Sequence, residues 1–306
     1  MKKIIITLLL LSLSPLYAKD THEHDKETVL SWKTQKVADG LYMLSGVGGF
    51  TGGNLGLSIG EDGVILIDDA LPSTLDIMNK AIADISTQPI DFLINTHVHG
   101  DHTGNNKVFG DKHVHIVAHE NMRLHMLKKG LQTAQGQQQM PKSALPIITF
   151  SESMDFHLNG KDAHVFHLPH AHTDGDAAIF FKNANVIHVG DTMFNKIFPF
   201  IDYSSGGSLD GYIAAQKKVL SLIDKDTKII PGHGPLANKL DLQNSISMLE
   251  GSKKIIQNLI QKGKTLEQIS DLDPLAKDYA AWSWNFIDSK KMAQQVYQGL
   301  QQQIKD

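Results

Sequence analysis

From about Thr34 onward, short apolar runs bounded by glycine, asparagine or aspartate alternate with longer stretches whose apolar residues recur three and four positions apart. The short runs read as strands and the longer stretches as amphipathic helices. Strands are therefore expected at 41–45, 56–59, 64–67 and 92–95, with a helix at 75–85. A second half repeats the theme, with strands at 114–118, 155–158, 163–167, 177–181, 186–189 and 228–230 and helices at 121–129 and 209–222. Residues 240–306 keep helical spacing, with Gln and Lys on the polar faces. Strands interleaved with helices predict an α/β protein whose sheet is covered by helices. No long linker and no short repeat interrupts the pattern.

The first residues break from it. Lys2-Lys3, the apolar stretch 4–13 and Ser14-Pro15-Leu16-Tyr17-Ala18 have the charged, hydrophobic and cleavage regions of a secretory signal peptide, and the apolar part is too short for a stable membrane span. The expectation is an exported protein, periplasmic or secreted, with a leader at 1–18 and no membrane insertion once it is removed. Residues 19–33 are rich in charge and read as a mobile lead-in.

Composition narrows the chemistry. The 306-residue chain carries a net charge of −4, which argues against a nucleic-acid partner and leaves a small-molecule substrate. It contains no cysteine, so there is no disulfide, and any metal must be held by His, Asp or Glu.

Such ligands are concentrated in Thr96-His97-Val98-His99-Gly100-Asp101-His102, directly after the apolar run 92–95. Imidazole and carboxylate suit zinc, and a strand end leading into a glycine turn aims alternate side chains into one pocket. Further candidates follow other apolar runs: His172 in Pro169-His170-Ala171-His172-Thr173-Asp174-Gly175-Asp176, Asp191 in Gly190-Asp191-Thr192, and His233 in Pro231-Gly232-His233-Gly234. The chain has sixteen histidines. His113, His115, His119, His125, His157, His164, His167 and His188 match no such position and default to surface or packing roles.

Asp68 after a buried run, the THVHGDH loop, the His-Thr of AHTDGD, Gly-Asp-Thr and Pro-Gly-His-Gly occur in the order that makes residues 34–240 resemble the metallo-β-lactamase superfamily. The resemblance implies an αββα sandwich spanning 34–239, with 240–306 as a helical C-terminal extension packed on the same domain. It also implies two zinc ions: His97, His99 and His172 around the first, Asp101, His102 and His233 around the second, and Asp191 bridging both. Asp68 would orient ligands from behind. The family pattern places the ligand directly before Thr, which selects His172 over His170.

Hydrolysis of an acyl bond (amide or lactam, lactone, or thioester) by a hydroxide held between the metals is the expected chemistry, with Asp101 orienting that hydroxide as the catalytic residue. An iron-dependent persulfide dioxygenase and a non-catalytic periplasmic zinc-binding protein are the alternatives. True metallo-β-lactamases usually carry cysteine or serine at the Asp191 position, so the aspartate is more similar to glyoxalase II, lactonases and phosphodiesterases. A basic cluster to grip glutathione is not evident. For substrate contacts the expectation is Phe50 in the glycine-rich segment 47–54, and Lys196 and Phe198 after Asp191. The Gln-rich stretch 132–139 reads as a surface insertion, and Trp282, Trp284 and Phe286 as core packing.

Overall fold

The computed structural model describes residues 29–133 and 136–302. The expected leader and most of the lead-in lie outside the described residues. The first sheet is built from β1 (Ser31–Ala38), β2 (Leu41–Val47), β3 (Leu55–Gly60), β4 (Gly63–Ile67), β5 (Phe92–Ile94) and β6 (His115–His119). After a small hairpin of β7 (Leu131–Thr133) and β8 (Gly136–Gln138), β9 (Ile148–Phe150) completes that sheet as a seventh strand. The second sheet has five strands in sequence order: β10 (Ser153–Leu158), β11 (Lys161–Leu168), β12 (Asp176–Phe181), β13 (Val186–Phe194) and β14 (Lys228–His233). Pairing is antiparallel from β1 to β4 and from β10 to β13, and parallel among β4, β5, β6 and β9 and between β13 and β14.

Residues of alternate strand positions fill three apolar layers, as the period of two requires. Between the sheets, Met43, Ile65, Ile67, Ile94 and Val117 meet Val165, Ile179, Phe181 and Ile230. Outside the first sheet, Leu57, Leu66 and Leu93 pack on Met78 and Ile82 of α1 (Leu75–Ala83). Outside the second, Phe180, Ile187 and Val189 pack on Val219 of α5 (Leu209–Leu222) and on Leu242 and Ile246 of α6 (Lys239–Gln261). The shorter α2 (Gly100–Thr103), α3 (Asn106–Asp111) and α4 (Glu120–Lys129) fall between α1 and α5 in the chain. The layers run helix, sheet, sheet, helix, the expected αββα sandwich.

Beyond α6 come α7 (Leu266–Leu272), α8 (Ala276–Tyr279) and α9 (Ser289–Gln302), which close an apolar cluster of their own over Leu209, Tyr212 and Phe198. A capping box of Asn238 and Asp241 starts α6. No helix among the described residues is long and apolar enough to cross a membrane.

Three departures from expectation have local causes. Ser31–Lys33, expected in the lead-in, belongs to β1, an edge strand with only Trp32 and Val37 buried, so its polar residues hide its period. Most of the Gln-rich stretch lies in the β7–β8 hairpin, whose flanks enter the site described below. The C-terminal region is not continuous helix: between the short turn at Ala280–Trp282 and α9 the chain runs non-helically through Trp284 and Phe286.

Candidate metal centre

The ligand candidates come from ends of strands on one edge of the sandwich. β5 leads into His97 and His99, α2 carries Asp101 and His102, β11 runs into the turn with His172, and β13 and β14 contain Asp191 and His233. Two clusters result among the described residues: His97, His99, His172 and Asp191, and Asp101, His102 and His233, each with ligand atoms within 4.8 Å of one another.

Asp191 joins them. Its Oδ2 lies 3.6 Å from His97 Nε2 and 3.5 Å from His172 Nε2, whereas its Oδ1 lies 3.1 Å from His102 Nε2 and 3.4 Å from His233 Nε2. One oxygen therefore faces each cluster. Asp101 Oδ2 is 3.3 Å from His233 Nε2 and 3.5 Å from His102 Nε2. His170, the competing candidate, is exposed and engaged with the Gly206 carbonyl, outside both clusters.

Hydrogen bonds behind the imidazoles fix which nitrogen faces inward. His102 Nδ1–H donates to Asp68 Oδ2 at 2.7 Å. His97 Nδ1–H donates to Thr96 Oγ1 at 3.0 Å, and that hydroxyl donates to the same Asp68 Oδ2 at 2.8 Å. Asp68, fully buried, also accepts from the Thr96 amide at 2.7 Å, so one carboxylate orients a ligand of each cluster. His172 Nδ1–H donates to the Phe200 carbonyl at 2.8 Å. His99 is reversed: its Nε2–H donates to Asp202 Oδ2 at 3.0 Å, which turns Nδ1 towards His172 Nε2, 2.8 Å away.

Two glycines let the backbone pass this close. A Cβ on Gly53 would stand 2.1 Å from His102 Cε1, and one on Gly232 would stand 1.9 Å from Asp191 Oδ1. Gly232, the first glycine of Pro-Gly-His-Gly, is thus required by the close approach of the Asp191 carboxylate.

Electrostatics divides the clusters. Burial pushes His97 well below the ordinary imidazole value, and burial likewise takes His172 down to about 4, which leaves both neutral with lone pairs available. Burial also pushes on His102 and His233, but the Asp191 and Asp101 carboxylates overcome it, raising His102 well above the ordinary value and His233 to about 9. Against the cost of burial, His102 and its neighbours hold Asp191 well below the carboxylate range, and His102 and His233 hold Asp101 at about 2. Asp202 is held low against partial burial, first by its bond from His99.

This donor set fits a pair of metal cations. Among the described residues, His97 Nε2 and Asp191 Oδ1 are buried without a hydrogen-bond partner, a costly arrangement for polar atoms. Imidazole nitrogens directed at one another and at two carboxylates form a centre that calls for positive charge, in a thiol-free set suited to zinc and other borderline divalent metals.

The centre opens into a cavity of about 1280 Å³ lined by His99, Asp101, Asp191 and His233 among others. Phe50 lines it and stacks over His233 at 5.8 Å between ring centroids. The other two expected substrate contacts lie elsewhere. Phe198 is wholly buried in the cluster of C-terminal helices because its apolar ring completes that core. Lys196 occupies a left-handed turn with its side chain largely exposed, and its Nζ lies 3.8 Å from Asp241 Oδ1.

Trp284 and Phe286 were not expected here, yet they line the cavity, as do Gly130, Leu131, Met140 and Pro141 on either side of the Gln-rich hairpin. Asp202 and the Phe200 carbonyl were also missed, since a lone carboxylate and a backbone oxygen leave no motif. Among the surplus histidines, His188 is buried with Nε2 3.2 Å from the Asn54 carbonyl oxygen, and His157 and His164 lie beside Asp162 and Asp155.

Comparison with known proteins agrees with this geometry. The chain is 22% identical over 220 residues to the 2,4-dinitroanisole O-demethylase subunit alpha of a Nocardioides species, covering 70% of this chain and 62% of that protein. It thus spans less than two thirds of that relative's length. It is 26% identical over 183 residues to a probable metallo-hydrolase of Methanocaldococcus jannaschii, covering 58% and 85% of the two chains. Among solved structures, the DIM-1 metallo-beta-lactamase superposes with a TM-score of 0.59 at 16% identity, over 72% of this chain and 98% of its own. The sec-alkylsulfatase Pisa1 of a Pseudomonas species superposes with a TM-score of 0.66 at 15% identity, over 87% and 50%. The family model described as the Metallo-beta-lactamase superfamily matches residues 48–233, the stretch that carries every ligand of both clusters, and the chain belongs to that superfamily.

Proposed function

We propose that the protein is an exported, zinc-dependent hydrolase that cleaves an acyl bond in an amide or lactam, a lactone or a thioester. The observation that carries this reading is the Asp191 carboxylate, with one oxygen turned to each of two ligand clusters at the base of an open cavity. Two zinc ions held there would supply Lewis acidity and make water a competent nucleophile near neutral pH. His97, His99 and His172 would hold the first, Asp101, His102 and His233 the second, and Asp191 both.

The chain's own residues do the rest. Asp101 is ionised, partly exposed and part of the cavity lining, so a carboxylate oxygen is available to accept a hydrogen bond from the attacking water and orient it. Asp68 and Asp202 accept from the outward nitrogens of His102 and His99 and so direct the inward ones at the clusters. Phe50 and the apolar walls line the approach to the centre. The leader-like residues 1–18 support export. The second, three-residue cluster weighs against a dioxygenase reading built on a single iron.

The test is a panel offered to the zinc-loaded protein: a chromogenic cephalosporin, a lactone, an acyl thioester, a phosphodiester and 2,4-dinitroanisole. Turnover of an acyl substrate that disappears in His97→Ala and Asp101→Ala supports the reading. Turnover confined to the phosphodiester or the aryl ether replaces it.

A further inference from the structure

The cavity is larger and more apolar than a metal centre and a scissile bond require. At about 1280 Å³ it exceeds the roughly 300–1000 Å³ usual for a site that takes a drug-sized ligand. Its polar lining is the ligand set together with Thr103, Lys107, Lys129 and Asn285. From the ligand set an aromatic arc extends outward: Phe194 and Trp284 lie 4.8 and 6.3 Å from His233 between ring centroids, Trp284 lies 5.6 Å from Phe286, and Phe286 lies 5.6 Å from Phe200. The lining also includes Val98, Met126 and Met140, members of one apolar cluster, with Leu71 and Leu131. Methionines give that part of the lining an adaptable surface.

Segment 284–286 is held rigidly. Trp284 Nε1–H donates to the Phe198 carbonyl at 2.9 Å, the Phe198 amide donates to the Trp282 carbonyl at 2.7 Å, and the Trp284 amide donates to the Ile287 carbonyl at 3.0 Å. Buried Phe198 anchors this arrangement from the C-terminal core. Phe286 nevertheless stays 51% exposed, with its ring against Phe200 and Trp284 and part of its surface lining the cavity. Packing of the helices does not account for a phenylalanine left in that position. The segment also lies outside residues 48–233, so the features shared across the superfamily do not specify it.

We propose that segment 284–286 is a substrate-selecting wall contributed by the C-terminal extension, and that the cleft takes acyl compounds bearing a long apolar chain. The chain lies along Trp284, Phe286 and Phe200, with the acyl carbon at the metal ligands. This rests on the hydrolase reading for the reacting end of the substrate and on the cleft alone for the apolar end.

The test uses the zinc-loaded full chain and one leaving group carried on acyl chains of about four to about twelve carbons. Each methylene that enters the cleft raises kcat/KM about fourfold until the wall is covered. Phe286→Ala, at an exposed position that leaves the fold intact by circular dichroism and zinc content, lowers the long-chain to short-chain ratio of kcat/KM about tenfold. An unchanged ratio overturns the proposal. A second arm measures binding of n-alkyl carboxylates of the same lengths by tryptophan fluorescence, without turnover. If no acyl compound is hydrolysed but carboxylate affinity climbs with chain length and the climb is lost in Phe286→Ala, the hydrolase reading fails and the wall stands. Binding that does not depend on chain length in the parent protein overturns the wall.

Discussion

Replacing Asp68 with Asn keeps the side-chain shape and removes an acceptor on which both clusters depend. The Asn Oδ1 can still accept from the Thr96 amide, but its Nδ2–H₂ then faces the Thr96 hydroxyl and His102 Nδ1, both of which donate to Asp68 in the parent protein. To avoid donor against donor, His102 must move its proton to Nε2, the nitrogen 3.1 Å from Asp191 Oδ1. The Thr96 hydroxyl must turn to donate to His97 Nδ1, which moves the His97 proton to Nε2 as well. Each histidine then presents N–H where a lone pair is needed. Losing such a partner lowers metal affinity by about 10- to 100-fold, or about 1.4–2.7 kcal/mol per site at one decade per 1.36 kcal/mol. Competition titration of the demetallated Asp68→Asn variant with a zinc chelator measures this, and the zinc-induced rise in melting temperature should shrink with it. Parent-like zinc affinity at both sites would refute the coupling of His97 and His102 through Asp68.

Asp202→Ala should weaken zinc about tenfold at the first site only, because His99 alone loses its orienting acceptor; the same titration resolved by site checks it. Gly53→Ala drives a methyl group into the His102 ring and should cost the second zinc while the first is retained, as stoichiometry in the elemental analysis will tell. Phe198→Ala should lower unfolding stability by about 3–5 kcal/mol in denaturant titrations and blunt the acyl chain-length preference, since the ring is core and its backbone anchors Trp284.

The sequence was most legible where chemistry and chain period coincide. The THVHGDH loop follows a strand buried on both faces at Leu93 and Ile94, and the later candidates follow apolar runs near Gly or Pro, so the candidate positions stand out in the chain, with the family resemblance selecting His172 over His170. β13 is buried at all nine positions, but only its start, with Val186, Ile187 and Val189, is apolar enough to be read from the chain. Elements with only a partial apolar face were lost: β1 buries two side chains, and β9 is three residues long. In the run 197–201, pattern alone gives no means to tell that Phe198 points into the core while Phe200 lines the cavity. Trp282 and Trp284 pack against the C-terminal core as expected, but composition does not reveal that the chain leaves the helix there and turns Trp284 and Phe286 to the cavity. Asp202 lies 103 residues from His99, and only folding pairs them.

The most direct test of the central claim is zinc titration of the demetallated full chain, read by calorimetry and by elemental analysis after desalting. Two tightly held zinc ions per chain, falling to one in variants that disable either cluster, is the predicted result. A single iron per chain, or one zinc that survives loss of His97 and of His233 alike, would contradict a centre bridged by Asp191.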